Sequence, residues 1–166
     1  DSSDINGFHD ASKIEKIVLN LIGNAFKYTN DGGSITLKLT VLTEENNAGV
    51  PEHLRKNISK DGTFLFITVA DTGYGIPLKY QEKIFERFFR VENEATTGTG
   101  IGLTLARQLA RIHKGDIAVT SEPGKGTEFT VWLPIDKSAY SADEIEKVDE
   151  QPFSQEENMT TCDVEN

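Results

Sequence analysis

Three short segments of this chain contain residues whose types and spacing suit nucleotide chemistry. The first, Asn20–Thr29, has two amides and a lysine at helical spacing. The second, Asp71–Ile76, ends a β-like run with a carboxylate and two glycines, and the third, Gly98–Leu103, is a glycine cluster that opens a predicted helix. In this order they predict a metal ligand, a reader of the base and a phosphate cradle, which together describe a nucleotide site.

In the first segment, Asn20, Asn24 and Lys27 project from one side of the predicted helix, away from its apolar stripe. An amide oxygen is a hard, neutral ligand that suits Mg²⁺, which also keeps waters and substrate phosphates. Lys27 can contact phosphate as a point charge, and Tyr28 at the helix end is placed to cover a sugar or base edge. For any one of these residues, the competing interpretation is a solvated helix face.

In the second segment, Asp71 stands where a strand ends and a glycine turn begins. A carboxylate there can accept a hydrogen bond from the exocyclic amine of adenine, which guanine does not present in the same place. Gly73 and Gly75 lack Cβ atoms, so we expect the backbone to approach a flat base closely. The competing interpretation is an ordinary Asp-Thr-Gly turn.

The third segment places glycines at the N-terminus of a helix, where free N–H groups and the helix dipole favour an anion. Its glycines are Gly98, Gly100 and Gly102, and Leu103 stands where the dinucleotide fingerprint needs its last glycine. The preceding segment is a polar loop and not a strand. A Rossmann site is therefore excluded.

Between these segments, Phe85–Arg90 interleaves aromatic residues with two arginines. We interpret the phenylalanines as core anchors. Arg87 and Arg90 either reach a γ-phosphate or are solvated.

The pattern of apolar residues predicts the elements that position these segments. A helix over 12–28 has its N-cap at Ser12, which forms a capping box with Glu15, or at Asp10. Gly115 is expected to end the last helix as its C′ residue. The order of elements predicts a two-layer α+β sandwich with helices on one face of a largely antiparallel sheet. The other predicted elements are strands over 34–43, 63–70, 116–122 and 127–133, helices over 77–89 and 101–114, and loops over 44–62 and 90–99.

The length of 166 residues predicts one domain. The net charge of −10 is concentrated in residues 136–166, which hold ten of the 27 acidic residues and two of the 17 basic ones. We therefore divide the chain into a domain over 1–135 and an acidic, disordered linker or tail over 136–166. The domain is nearly neutral and offers no basic field, which argues against nucleic acid as a partner.

No segment reads as a signal peptide or as a bilayer span. The single cysteine, Cys162, predicts a reducing compartment and no disulfide framework. Because the first residue is Asp and not Met, we expect an excised piece of a longer protein.

These motifs resemble the catalytic ATP-binding domain of bacterial sensor histidine kinases, within the GHKL superfamily of chaperone, topoisomerase and mismatch-repair ATPases. The resemblance covers about residues 10–135. It implies the Bergerat ATP-binding fold, a two-layer α/β sandwich with a mixed, mostly antiparallel sheet. The matching boxes are the N box Asn20–Thr29, the G1 box Asp71–Ile76, the F box Phe85–Arg90, the G2 box Gly98–Leu103 and a final motif, Gly124–Thr127.

The resemblance also implies roles for single residues, with ATP and Mg²⁺ as the cofactors. Asn24 would bind Mg²⁺, Lys27 would contact phosphate and Tyr28 would form a wall of the nucleoside pocket. Asp71 would bind adenine N6, and Arg90 would contact the γ-phosphate, with Arg87 as a weaker candidate. The segment between Phe89 and Gly98 would be the ATP lid. The other implied nucleotide contacts are Gly73, Gly75, Ile76, Gly98, Thr99, Gly100, Ile101, Gly102, Leu103 and Thr127.

One position separates the classes of this superfamily. ATPase members have a glutamate four residues before the metal-binding asparagine, where it activates water. This chain has Asn20 there, and an amide cannot act as a general base. The resemblance thus implies a catalytic site, including Asn20, Asn24, Lys27 and Arg90, that holds ATP for phosphoryl transfer by positioning and charge stabilisation.

The phosphoacceptor histidine is expected on a dimerisation domain outside this chain, because His9, His53 and His113 do not lie on a two-helix hairpin. His113 lies at a predicted helix C-terminus, where a partly charged histidine is favourable. Further expectations are a monomeric fragment without direct membrane contact, in the cytoplasmic portion of a membrane-anchored kinase, and a response-regulator receiver domain as partner, possibly C-terminal. The alternatives are a GHKL-type ATPase switch, a protein serine kinase of the anti-sigma type and a degenerate pseudokinase.

Overall fold

The computed structural model describes residues 9–43, 62–91 and 99–141. The predicted positions Gly98 and His53, most of the loops over 44–62 and 90–99, and residues 142–166 of the acidic segment lie outside these ranges. The helices are α1 (Ala11–Tyr28), α2 (Leu78–Gln81) and α3 (Gly102–Ile112), with 3₁₀ turns at Lys83–Phe85 and Lys137–Ala139. The strands are β1 (Ile35–Leu42), β2 (Phe64–Asp71), β3 (Asp116–Glu122) and β4 (Gly126–Pro134).

The four strands form one sheet in the order β1-β2-β4-β3. Every pairing between them is antiparallel, so the parallel pairing that a mixed sheet requires is absent among the described strands. The alternation of side chains places one apolar row of each strand towards the helices. The predicted α+β sandwich is confirmed, and its sheet is more regular than expected.

The core lies between the sheet and the pair α1 and α3, as the predicted helices on one face require. Both helices present apolar residues at helical spacing to this layer. A smaller apolar cluster of Leu42, Phe64, Phe66 and Trp132 forms separately. The fully buried side chains of the main core include Ile17, Leu21, Ile67, Val69, Val131 and Leu133.

Helix α1 begins at Ala11, because Asp10 is its N-cap. The Asp10 carboxylate accepts a hydrogen bond from the Lys13 backbone N–H at 3.1 Å, and it forms an ion pair with Lys13 Nζ at 2.6 Å. The predicted capping box at Ser12 is wrong, since Ser12 lies inside the helix and its hydroxyl donates to Asp10 at 2.7 Å.

The helix predicted over 77–89 is broken into α2 and a single 3₁₀ turn. The backbone becomes extended at Glu86 (φ −75°, ψ 146°) and left-handed at Phe88 (φ 65°), which ends any helix. Ile84 and Phe85 are buried core residues as expected, but Phe88 is 71% exposed. The interpretation of all phenylalanines as core anchors is therefore wrong for Phe88.

Helix α3 ends earlier than predicted, at Ile112. Lys114, and not Gly115, takes the left-handed conformation after the helix (φ 59°). Gly115 is required for another reason, because an ideal Cβ there would lie 1.9 Å from the Trp132 carbonyl oxygen.

His113 is buried and joins the two ends of the described chain. Its Nε2 accepts from the Asp10 backbone N–H at 3.3 Å, and its Nδ1 lies 2.9 Å from the Leu109 carbonyl oxygen. With Nε2 as an acceptor, the contact with the Leu109 carbonyl oxygen places a proton on Nδ1. Its carbonyl oxygen accepts from the Tyr140 hydroxyl at 3.2 Å.

Residues after position 135 still contact the predicted domain, through Asp136 and Tyr140. The Tyr140 hydroxyl also donates to the Pro134 carbonyl at 2.8 Å, and Asp136 accepts from the Thr63 backbone N–H. The division at residue 135 stays a prediction. None of the described helices has the length and apolar character needed to cross a bilayer.

Candidate nucleotide-binding site

A cavity of about 690 Å³ lies between α1, the end of β2 and the start of α3. It brings together residues from all three segments that the sequence analysis singled out. The predicted residues that line it are Asn20, Asn24, Lys27, Tyr28, Asp71, Gly75, Ile76, Arg90, Thr99, Gly100, Gly102, Leu103 and Thr127.

Helix α1 supplies the amides and a cation on one side of the cavity. Asn20 turns back along its helix, where its Nδ2 donates to the Lys16 carbonyl at 2.7 Å. Lys27 Nζ lies 4.9 Å from the centroid of the Tyr28 ring. Within the described ranges, no group forms a hydrogen bond to the Asn24 side chain. Asn24 is therefore available to a ligand in the cavity.

The opposite end of the cavity contains a buried carboxylate at the last residue of β2. Asp71 Oδ1 accepts a hydrogen bond from the Gly73 backbone N–H at 2.8 Å, and the Thr127 backbone N–H also donates to the carboxylate. Burial raises the Asp71 pKa above its ordinary value of 3.8, and the two N–H donors oppose that rise. The site thus offers a partly desolvated acceptor whose orientation is fixed by the backbone.

The two glycines after Asp71 make room for the protein backbone. Gly75 has φ 70°, and an ideal Cβ there would lie 2.1 Å from the Glu122 carbonyl oxygen. A Cβ on Gly73 would lie 2.2 Å from the Tyr28 carbonyl oxygen, which accepts from the Tyr74 N–H at 3.2 Å. Close packing against α1 and the β3–β4 turn therefore requires both glycines, and the expected close approach to a flat base stays a prediction.

The N-terminus of α3 opens towards the cavity without a side-chain cap. Its N-cap residue is Ile101, which provides no hydrogen-bonding side chain. The N–H groups and dipole of this eleven-residue helix favour an anion. Gly102 faces α1, and a Cβ there would lie 2.7 Å from Asn20 Oδ1. Gly98 lies outside the described residues.

Three predicted site residues within the described ranges do not line the cavity: Gly73, Arg87 and Ile101. Arg87 and Ile101 are exposed. Several apolar residues of the lining were not predicted from the sequence, although Phe89 stands beside Arg90 in the Phe85–Arg90 motif. The lining residues that were not assigned to the site are Leu19, Gly23, Thr29, Tyr74, Ile84, Phe89, Val91 and Phe129.

Comparison with known families places this cavity in an ATP-binding family. The model of the family described as "Histidine kinase-, DNA gyrase B-, and HSP90-like ATPase" matches residues 9–137. The chain belongs to this family. The matched range contains the whole cavity lining.

The curated relatives of this ATPase-family chain include sensor kinases. It is 36% identical over 151 residues to histidine kinase P4 of Formosa agariphila, covering 87% of this chain and 10% of that protein. It is 39% identical over 128 residues to the sensor histidine kinase WalK of Bacillus subtilis, covering 75% of this chain and 18% of that protein. The chain thus spans less than a fifth of the length of these two relatives.

Solved structures show the same fold. The mycobacterial sensor histidine kinase MprB has a TM-score of 0.61 at 26% identity, covering 78% of this chain and 77% of that chain. Full-length ShkA in complex with AMPPNP has a TM-score of 0.57 at 27% identity, covering 75% and 22%. The predicted histidine kinase ATP-binding catalytic domain, with the Bergerat fold, is confirmed.

The raised pKa of Asp71 predicts a pH-dependent preference for adenine. In the role predicted for Asp71, the ionised carboxylate would accept from the adenine N6 amine, and protonation would remove this charged acceptor as the pH falls through the raised pKa. We expect the affinity ratio of ATP to inosine triphosphate, which has a 6-oxo group, to fall over that range.

The measurement is the dissociation constant of each nucleotide between neutral pH and the acid limit of folding. Both nucleotides have the same triphosphate, so phosphate protonation cancels in the ratio. The sign for folding is opposite: since the folded-state pKa is raised, protonation of Asp71 adds stability as the pH falls. A ratio that stays constant in a folded protein would contradict the assignment of Asp71 to the base.

Proposed function

We propose that this chain binds Mg-ATP and presents the γ-phosphate to a histidine on the dimerisation domain of the same parent protein. The single observation that carries the proposal is that one cavity joins Asn24 and Lys27, the buried Asp71 and the uncapped start of α3. A nucleoside triphosphate has chemistry for each part: a base at Asp71 and phosphates near Lys27 and the helix N-terminus.

The residues around Asn24 fit a magnesium ion bound together with a nucleotide. Asn24 offers one neutral oxygen, and the described residues contain no group of three or more potential Cys, His, Asp or Glu ligands. Mg²⁺ in phosphoryl-transfer sites takes few protein ligands and completes its shell with waters and substrate phosphates. When bound, the ion would neutralise charge on the phosphates.

The contacts of Asn20 support transfer over hydrolysis. Its Nδ2 is bonded to the Lys16 carbonyl, and neither end of an amide takes a proton from water at neutral pH. The role of this chain is then to hold the triphosphate, and Lys27 and Arg90 would stabilise the charge of the transferring group.

The acceptor would come from another domain. His113 is buried with both ring nitrogens engaged, so it cannot reach the cavity. We propose as partners the phosphoacceptor domain and a response-regulator receiver domain, with this fragment monomeric and in the cytoplasmic portion of a membrane-anchored kinase.

Replacing Asn24 by alanine should weaken Mg-ATP binding about tenfold or more, because one of the few protein ligands of the ion is lost. Isothermal titration calorimetry on the native chain and on Asn24→Ala checks this, with Mg²⁺ and with EDTA. The difference between the two proteins should largely vanish in EDTA. Asn30→Ala, the same change at an exposed turn position, is the matched control and should bind normally.

The chemical outcome separates the three candidate activities. Acid-labile phosphohistidine on the added dimerisation domain of the same parent supports the proposal. Appreciable steady-state hydrolysis by the chain alone would support an ATPase switch, and phosphoserine on a partner would support a serine kinase. If the native chain does not bind Mg-ATP, the proposed function is wrong.

A further inference from the structure

Ser121 of β3 lies beside the base end of the cavity, in a row of polar residues that crosses three strands. Asp71 is paired with Thr127 in the β2–β4 register, and Thr127 is paired with Ser121 in the β3–β4 register. Directly paired residues of antiparallel strands share one face of the sheet. Asp71 and Thr127 line the cavity. Ser121 is the next residue of this row, on the other side of Thr127 from Asp71.

The Ser121 hydroxyl has three partners. It accepts from the Ile76 backbone N–H at 2.7 Å, lies 2.8 Å from the Gly126 carbonyl oxygen and lies 3.0 Å from Thr127 Oγ1. The Gln81 side chain also restrains the Ser121 backbone, because its Nε2 donates to the Ser121 carbonyl at 2.7 Å. The position of the hydroxyl is thus fixed by neighbours on β4 and in the loop after Asp71.

The direction of each hydrogen bond follows from the chemistry of these partners. A carbonyl oxygen cannot donate, so the contact with Gly126 uses the single proton of the Ser121 hydroxyl. The contact with Thr127 must then use the proton of Thr127. The Thr127 hydroxyl therefore presents lone pairs, and no proton, to the cavity.

We infer that Ser121 is a positioning residue for base selection, which acts by making the Thr127 hydroxyl an obligate hydrogen-bond acceptor. Two acceptors, Asp71 and Thr127, then face the edge of the base. Adenine can donate from its N6 amine, either directly or through a water. The O6 atom of a 6-oxopurine is itself an acceptor, so it cannot form a hydrogen bond with either of these acceptors. This inference rests on the proposed function, since it requires the base to lie at Asp71.

The substitution Ser121→Ala frees the Thr127 proton, so that Thr127 can rotate and donate to a 6-oxo group. We expect the affinity ratio of ATP to inosine triphosphate to fall about five- to tenfold, the effect of one hydrogen bond. Ser121→Thr keeps the hydroxyl and should restore the ratio. Thr120→Ala, next to it on the exposed face of β3, is the matched control and should leave the ratio unchanged.

Calorimetry with both nucleotides measures the ratio, and thermal unfolding verifies that each variant is folded. In a Thr127→Val background, Ser121→Ala should have no further effect on the ratio, because the hydroxyl that it orients is gone. If Ser121→Ala does not fold, Ser121→Cys, whose thiol is a weak hydrogen-bonding group, should lower the ratio in the same direction.

The outcomes separate this inference from the function on which it rests. A native chain that fails to bind ATP overturns the proposed function. A native chain that prefers ATP, with the same preference in a folded Ser121→Ala, overturns the role of Ser121 alone.

Discussion

Asp71→Asn should lower ATP affinity about 100-fold while leaving the protein as stable as before. The loss comprises a hydrogen bond to a charged acceptor and a new mismatch between two donors. The mismatch follows from the local geometry. Gly73 N–H holds Oδ1 of the native carboxylate at 2.8 Å, so it will hold the amide oxygen of asparagine, and the NH₂ group will face the N6 amine.

Stability should not fall, because the native carboxylate is ionised at a cost. Burial raises its pKa, which means that the folded state disfavours the charge relative to the unfolded chain. A neutral amide of the same shape removes that cost and keeps the bond from Gly73, and this gain offsets the weaker acceptor that it offers to the Thr127 N–H. Urea unfolding at neutral pH should therefore give a midpoint equal to or above that of the native chain.

Calorimetry with ATP and inosine triphosphate tests the specificity of the effect. The affinity for ATP should fall, and the affinity for inosine triphosphate should stay constant or rise, since its O6 can accept from the new NH₂ group. Asp31→Asn makes the same charge change at an exposed turn position and should alter neither affinity. Equal losses for both nucleotides in the Asp71 variant would place the base elsewhere.

The layers of this fold and the residues that line the cavity could be predicted from the sequence only in part. Helix α1 and the four strands followed from the pattern of apolar residues along the chain, although Leu37 and Leu39 of the apolar row of β1 are exposed. The helix expected over 77–89 failed because Ile84, Phe85 and Phe88 have helical spacing, but tertiary packing buries the first two and exposes the third. Local pattern cannot distinguish these cases.

Cross-strand contacts were also beyond the sequence. Nothing in the run Val119–Glu122 shows that Ser121 will meet Ile76, 45 residues away, because that contact depends on strand register. The same holds for the glycines. Gly73 and Gly75 were predicted to allow a close approach of the backbone to a base, but the protein groups that approach them, the carbonyls of Tyr28 and Glu122, become visible only when the elements are packed.

Gly126→Ala should destabilise the fold by about 3 kcal/mol or more, the largest stability loss predicted for a single methyl group here. Gly126 has φ 112°, a conformation that side chains rarely adopt, and an ideal Cβ would lie 1.9 Å from the Asp71 carbonyl oxygen. The obstacle is backbone of the central strand β2, which cannot move aside as the end of a flexible side chain could. Strand β4 must therefore shift away from β2 at Asp71.

Two other glycines separate the causes of that loss. Gly124 has a left-handed φ of 80°, and no atom lies within 4 Å of an added Cβ. Gly124→Ala should therefore lower the free energy of unfolding by about 1 kcal/mol, from conformation alone. Gly23→Ala, inside α1 with nothing within 4 Å, should be neutral or stabilising by up to about 1 kcal/mol. Urea denaturation of the three variants should rank them in this order. If Gly126→Ala and Gly124→Ala lose the same stability, the close contact with β2 contributes nothing, and the base end of the cavity is less rigid than its backbone contacts indicate.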